Sequence, residues 1–501
     1  MESIGLSAEM FERYKPPVSE DAEGKERGRG YLGDAMYRLF RHVSAWIAAA
    51  IIAAIALFSL LVPIFIGRND GVMDPYYAKL PPRIATASGA RVFDGGVSRR
   101  LGNAGLTGLA AIAIGASDDD SAALRDVIGG VFSPIIEIGD AEGRVYPVRV
   151  DSYLEVGFVY KIVDEAEYLQ MLAWQEREGR RLLYPMIADN ELCPDRLDAN
   201  AWYKADADGV SLRAGADGYE RADFSLDMTL EENYARDMHG EVIYALPSGE
   251  SALRVRVLYY NYYLYKNREA PNYILGTDSQ GYDLALRVAG GIRVSLLIAA
   301  MVSLINLMIG AFVGAIEGYY GGALDLALER VTDILSGVPF IVVATLFQIY
   351  LSDKAGAVPS LLFAFVLTGW LGTASRVRAQ FYRFKNSEYV LAARSMGVSD
   401  VRIMYRHILP NTLGTLITAS ALAIPGVIFT ESMLSFLGIV NLGAEGITSL
   451  GTLMSDASDI WVNYPHLMLI PAAVISLLMI AFNLLGGALR EGFDPEMKGG
   501  V

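Results

Sequence analysis

The sequence predicts an all-α polytopic membrane protein with six transmembrane helices and an α+β domain inserted between the first and the second. Three observations predict it. Of 501 residues, 53% are hydrophobic, and the mean hydropathy is positive although 20% of residues are charged. The charges are unevenly placed, and several stretches free of Asp, Glu, Lys and Arg match the ~20 helical residues that cross a ~30 Å hydrocarbon core. Between the first such stretch and the second lies a long block, residues 68–274, with none of that length but with strand-like segments.

The chain opens with a polar segment, 1–43, in which Gly24 to Gly33 reads as flexible. Arg27, Arg29, Arg38 and Arg41 precede the first span, 44–66, and place the N-terminus in the cytoplasm by the positive-inside tendency. The apolar run starts too late and is too long for a cleaved signal peptide. Trp46 is a candidate interface anchor. One crossing then puts 68–274 outside the cell, and this block carries most of the net charge of −15.

Within it, Ala104 to Ala116 is apolar but too short to cross, which suits a buried core segment. Ile135 to Val150, Tyr153 to Val163 and Leu253 to Tyr265 are rich in β-branched and aromatic residues and read as strands. Asp164 to Arg181 reads as an amphipathic helix. Tyr259, Tyr260, Tyr262, Tyr263 and Tyr265 form a dense cluster, read either as the aromatic face of a strand at the membrane surface or as a peptide-contacting surface. Gly276 and Gly281 read as turns, and Asp283 as the cap of the next helix.

Residues 275–501 form the membrane core. Its spans are predicted at about 294–316, 334–351, 358–375, 413–429 and 466–489, with Pro339 able to kink the third span. Gly318 to Gly322 reads as a turn before a short amphipathic helix, Asp325 to Asp333. Six crossings bring both termini to the cytoplasm.

The loop 376–411 is too long and too patterned to be passive. Glu388 to Met396 lacks Pro and Gly and is rich in helix formers. Gly397 breaks the run, Ser399 and Asp400 can cap a second short helix over Val401 to His407, and Pro410 suits the first turn of the next span. Its arginines, among them Arg394, Arg402 and Arg406, mark it as cytoplasmic. A structured elbow at the mouth of a bundle implies a docked partner.

Other classes find little support. The single cysteine, Cys193, allows no internal disulfide. The acidic balance argues against nucleic acid. His42, His239, His407 and His466 are scattered without metal-ligand spacing, so no metal is expected. The only Gly-Lys pair, Gly24-Lys25, lacks a phosphate-binding loop, and neither G-x-S-x-G nor H-E-x-x-H occurs. No catalytic residue is assigned, and the chain is not expected to be an enzyme or to hold a cofactor. Glu431 is the sharpest ionisable residue near a span. About ten residues from the centre of the fifth span, ~15 Å at ~1.5 Å per residue, it is either a solvated interface residue or a residue lining an outer gate.

The elbow resembles the "EAA loop" of permease subunits of ATP-binding cassette importers. Ala392, Ala393, Gly397 and Ile408-Leu409-Pro410 stand at the motif's spacing, whereas Leu391 replaces the Glu that names it. The segment G-T-D-x-x-G-x-D from Gly276 to Asp283, the turn G-Y-Y-G-G from Gly318 to Gly322, T-E-S-M-L-S-F-L-G from Thr430 to Gly438 and the closing run Asn483 to Pro495 are similar to the dipeptide/oligopeptide/nickel branch of that family. Tyr282 stands where that branch usually has Arg. The resemblance covers the first span and about 275–497, not 68–270.

The resemblance implies a type I importer permease fold. It implies a coupling loop using Glu388, Ala392, Ala393, Gly397, Arg402, Ile408, Leu409 and Pro410, and an outer gate at Glu431, Ser435 and Phe436. It also implies a second permease chain, two cytoplasmic ATPase subunits that bind ATP and Mg, an external binding protein and a peptide substrate. Two other readings compete. An ion-gradient-driven secondary transporter predicts ionisable or broken-helix sites in mid-membrane. A membrane-anchored extracytoplasmic binding or sensor protein predicts that the inserted domain does the work.

Overall fold

The computed structural model describes residues 36–66, 72–84, 93–116, 136–138, 145–188, 198–200, 202, 212–215, 218–221, 234–249 and 251–493. Most of the polar N-terminal segment, Cys193 and the last residues of the closing run lie outside them.

Helix α1 (Val43–Ile66) is apolar on every side and buries only Ala45, Ala48 and Ser59 in this chain, which leaves most of its surface for lipid. Trp46 is exposed, and its indole N–H donates to the Phe40 carbonyl at 2.8 Å.

The described residues of the inserted region hold three antiparallel sheets. In the first, β3 (Tyr146–Asp151) is flanked by β1 (Gly96–Leu101) and β2 (Ile136–Ile138). Helix α2 (Asn103–Ala116), the short apolar segment of the sequence, packs Leu106 and Ile112 against Val148 and Val150. In the second sheet β9 (Ala252–Leu258) pairs with β4 (Phe158–Asp164) on one side and with β5 (Leu183–Tyr184) and β8 (Ala245–Pro247) on the other. A hairpin, β6 (Leu212–Gly215) and β7 (Gly218–Arg221), forms the third. Helix α3 (Glu165–Glu178) starts where the Asp164 side chain accepts from the Glu167 N–H.

Two expected strands shrink. Residues 152–156 form turns, so the strand expected over Tyr153 to Val163 begins only at Phe158. The strand expected over Leu253 to Tyr265 ends at Leu258, opposite Phe158, where its antiparallel partner β4 begins, and the tyrosine cluster is a helix, α4 (Tyr259–Asn267). The reason is tertiary. Helical spacing brings Tyr259 and Tyr263 together onto Tyr77, at centroid distances of 4.9 and 5.4 Å, in a buried aromatic core. That packing overrides the β preference of the aromatic side chains.

The insert meets the helical core through the predicted turns. Gly281 has φ +95, and a Cβ there would lie 2.0 Å from the Asp74 carbonyl oxygen, so only glycine lets the two backbones meet. The Thr277 hydroxyl donates to the Tyr77 carbonyl and accepts from the Leu80 N–H. Asp283 caps the next helix through the Ala285 N–H.

That helix, α5 (Leu284–Tyr320), extends well beyond the span expected at 294–316, because hydropathy marks only its apolar middle and not the turns around Arg287, Arg293 and Glu317. α6 (Gly322–Ser336) and α7 (Phe340–Ala355) replace the third span, bent by 77° at the break before Phe340. Pro339, expected to kink a helix, ends up as the cap residue of α7. α8 (Ala357–Gly369) and α9 (Leu371–Phe384) together carry the fourth span into what was expected to be loop.

The elbow follows as α10 (Glu388–Ser395) and α11 (Asp400–Ile403). Contrary to expectation, α11 is not a separate helix ending at His407. It runs through a wide turn, Met404–Ile408, directly into α12 (Leu409–Phe436), where the Leu409 N–H reaches back five residues to the Met404 carbonyl. Pro410 supplies the reason: its ring cannot pack against a regular preceding turn, and a π-turn absorbs the clash. α13 (Leu450–Ala457), which the sequence reading missed, is closed by a capping box of Ser449 and Thr452. α14 (Pro465–Phe493) ends the described chain. Among the described residues five helices are long and apolar enough to cross a membrane, six if the bent pair counts as one span.

Candidate functional site

The elbow has two faces. Val390, Ala393, Ile403 and Ile408 point inward and pack against Tyr319 of α5, Val377 and Phe381 of α9 and Leu416 of α12. Leu391, Met396, Val401 and Tyr405 point outward, 45, 76, 67 and 74% exposed. Four large apolar side chains exposed on one short elbow mark it as a candidate interaction surface. Gly397, between the two helices, has φ +77, and a Cβ there would meet nothing within 4 Å. Its glycine serves the backbone conformation rather than a contact within the chain. Of the expected coupling residues, Ala393 and Ile408 are buried and Leu409 is half-buried, while Glu388, Ala392, Gly397, Arg402 and Pro410 are exposed.

One side chain that sequence reasoning passed over ties the elbow to the bundle. The Tyr319 hydroxyl, at the end of α5, donates to Asp400 Oδ1 at 2.5 Å. Arg394 Nη2 donates to the same hydroxyl at 3.3 Å, and its guanidinium stands 5.6 Å from the ring centroid. Tyr319 thus pins α10 and α11 at once. Beside it, Arg378 of α9 grips α6 through Asp325 at 2.7 Å and Glu329 at 2.9 Å.

α5 and α9 run side by side at very close range. A Cβ on Gly310 would lie 2.6 Å from Thr373 Cβ, one on Gly314 2.3 Å from the Ala374 oxygen, and one on Gly318 2.5 Å from Phe381 Cβ. The G-x-x-x-G-x-x-x-G spacing, a helix-packing signal in apolar segments, was available in the sequence.

At the other end of α5 stands Glu431, 1% exposed, which excludes the solvated reading. Ser295 of α5 donates to its Oε2 at 3.1 Å, Ser435 to its Oε1 at 3.1 Å and Ser432 to its Oε2 at 3.3 Å. The Leu450 N–H, at the start of α13, donates to the Ser295 hydroxyl at 3.4 Å. The carboxyl therefore joins α5, α12 and α13 through neutral donors. Ser435 is buried with it and Phe436 is half-buried. α5, unbroken over 37 residues, connects the two polar clusters.

Two family models match the chain. Residues 306–499 match the binding-protein-dependent transport system inner membrane component, and residues 30–82 match the N-terminal TM domain of oligopeptide transport permease C. Neither covers 83–305. The chain is similar to the oligopeptide transport system permease protein OppC of Bacillus subtilis (strain 168), 35% identical over 224 residues, 44% of this chain and 72% of that protein. The dipeptide transport system permease protein DppC of the same organism is 37% identical over 225 residues, 44% of this chain and 68% of that protein. OppC of Escherichia coli (strain K12) is 36% identical over 224 residues, 44% and 72%. Among solved structures, a chain of the inward-facing MetNI methionine ABC transporter shows 16% identity and a TM-score of 0.33, covering 40% of this chain and 96% of that one. The extent of the relatives covered, with the elbow motif in place, settles the family: the chain is a permease that belongs to the inner membrane components of binding-protein-dependent transport systems.

Proposed function

We propose that this chain forms one half of the translocation pathway of an ATP-driven peptide importer. A second, similar permease chain forms the other half. Two cytoplasmic ATPase subunits bind ATP and Mg and hydrolyse the nucleotide, and an external binding protein delivers the peptide. The relatives named for oligopeptide and dipeptide transport support the substrate class. In this reading the elbow and both termini face the cytoplasm and the insert faces outward, against the binding protein or over the cavity.

The observation that carries the reading is the two-faced elbow. Its inner face is locked into the bundle, and its outer face offers Leu391, Met396, Val401 and Tyr405 to a partner. Leu391, in place of the acidic residue of the motif, makes this contact apolar rather than ionic. Closure of the ATPases pushes on α10 and α11, and Tyr319 passes the movement to α5. At ~1.5 Å per residue the stretch of α5 from Tyr319 back to Ser295 spans ~36 Å, so a rigid-body tilt at the elbow reaches the Ser295–Glu431 seam. The seam then opens or closes the outer gate.

The test is Gly397→Trp in the reconstituted transporter. A Cβ at Gly397 meets nothing within 4 Å in this chain, and the position is exposed, so the variant should insert and fold, with a left-handed backbone cost of ~1–2 kcal/mol. Binding of the ATPase subunits and peptide uptake should both be lost. Uptake at the unmodified rate would sink the elbow assignment.

A further inference from the structure

The face between α3 and α4 lies in the stretch that neither family model matches, and the proposal above uses none of it. α3 turns Trp174 and Arg177 toward this face, and α4 turns Tyr260 and Tyr265. With Arg180 and Arg268 they line a groove of about 830 Å³. Trp174 and Tyr265 meet edge to face at 6.0 Å and form an apolar wall. Three guanidiniums border it, in a block that is otherwise acidic. Arg177 pairs with its neighbour Glu178, also in the lining, at 3.0 Å. The Arg180 and Arg268 side chains have no hydrogen-bond or ion-pair partner among the described residues.

The backbone beneath them is uneven. Both helices end in a left-handed residue, Gly179 at φ 64 and Arg268 at φ 59. Glycine takes that conformation freely; a residue with a Cβ does not. The partial negative charge of a helix C-terminus favours a cation nearby, but it does not require one at the strained position itself. Arg268 thus accepts backbone strain while standing at the groove, and strain of this kind gathers at ligand sites.

We infer that this groove binds the C-terminal end of a free peptide, the carboxylate on Arg180 and Arg268 and the last side chain against Trp174 and Tyr265. This rests on the peptide reading above and adds a peptide site on the chain itself, apart from the pathway. The planar guanidinium fork suits a carboxylate at two points, and the aromatic wall suits an apolar side chain beside it. The size favours a peptide end: the groove falls in the range of ~300–1,000 Å³ typical of small-ligand clefts.

The experiment uses the full chain, without partners, in nanodiscs of zwitterionic lipid. Binding of a tripeptide ending in Phe is measured by calorimetry, with a free or an amidated C-terminus. Amidation should weaken binding at least tenfold, and so should Arg180→Ala. Arg268→Gly is the sharper variant: it removes the guanidinium and relieves the backbone, so the melting temperature should hold or rise while binding falls at least tenfold. Equal binding of free and amidated peptide, or wild-type affinity in both variants, would overturn the inference. So would capture of the external binding protein, lost in Arg268→Gly, with no peptide bound. Absence of groove binding beside normal uptake by the assembled transporter removes this site alone. Groove binding as expected, beside an assembled transporter that moves no peptide, counts against the importer reading and leaves the site standing.

Discussion

Arg256 in the insert and Glu431 in the helical core are both 1% exposed, and neither meets a countercharge among the described residues. Their settings differ. Arg256 donates to the Ala199 carbonyl at 2.7 Å and the Pro185 carbonyl at 3.1 Å, and lies 4.1 Å from the Phe158 ring centroid. Burial pulls its pKa down to about 10, which still leaves it charged at neutral pH. It ties loops to a sheet inside one folded unit. Glu431 joins three separate helices through hydroxyls. A buried charge fixed to backbone carbonyls holds a static core. A carboxyl held by hydroxyls joins separate helices through side chains that can rotate, with no backbone ladder across the seam.

The largest expected effect comes from breaking the static member of the pair. Arg256→Ala leaves a cavity and two buried carbonyls without donors, at a cost of ~3–5 kcal/mol. The insert should lose its fold while the membrane helices remain inserted. Limited proteolysis in detergent would show fragments ending between the first and second spans. Full protease resistance would mean that the buried guanidinium contributes nothing net.

The seam should respond to geometry more than to charge. Glu431→Gln keeps an oxygen and adds donors, so α13 should stay docked. Glu431→Ala strands Ser295, Ser435 and Ser432, at ~1–3 kcal/mol, and should loosen 449–457. Hydrogen exchange of that segment separates the two. If Gln and Ala loosen it equally, the charge itself holds the seam and the contrast with Arg256 disappears.

At the opposite end of α5 the effect should fall on coupling rather than on stability. Tyr319→Phe keeps the ring under Arg394 and removes the hydrogen bond to Asp400, a contact with a charged group worth ~1.5–3 kcal/mol when buried and less at this partly exposed end. The ATP hydrolysed per peptide imported should rise severalfold with the melting temperature nearly unchanged. Asp400→Asn should reproduce it, and the double variant should add nothing further. Fully additive effects would mean that the two groups act apart.

Much of this was legible in the sequence, and the failures have separate causes. The membrane class, the first and last spans, the cap at Asp283 and the break at Gly397 follow from local chemistry. So does the double-Ala elbow, whose Ala393 proves to be its buried member. The fate of Tyr259 to Tyr265 does not, because it depends on Tyr77, far away in sequence. The length of α5 was hidden because hydropathy sees apolar residues and not hydrogen bonds. α13 was hidden because eight residues carry too little periodicity. Tyr319 read as half of a turn motif, and only its meeting with Asp400 and Arg394 makes it a latch.

The smallest expected effect lies in the insert and is set by pH. Burial pushes the Asp94 carboxyl up, but Arg149, at 2.8 and 2.6 Å from its two oxygens, and the Gly96 N–H at 2.9 Å outweigh it, and the group sits below its ordinary value of 3.8. The stability it contributes is therefore present above pH 3.8 and lost as pH falls through the lower folded value. Asp151, on the same sheet, behaves oppositely. Burial raises its pKa despite Arg83 at 3.7 Å, so its contribution is present below 3.8 and lost as pH rises through the higher folded value. At pH 7 Asp94→Asn should destabilise the insert by ~1 kcal/mol, in line with a partly exposed ion pair, and Asp151→Asn should stabilise it or leave it unchanged. As pH falls below 3.8 the Asp94→Asn difference should shrink. A melting-temperature series of both variants from pH 3 to 8 reads the two slopes against each other. Slopes of the same sign would mean that Arg149 does not select the ionised form of Asp94. The insert would then hold its surface charges as loosely as the elbow holds Arg402, rather than as firmly as it holds Arg256.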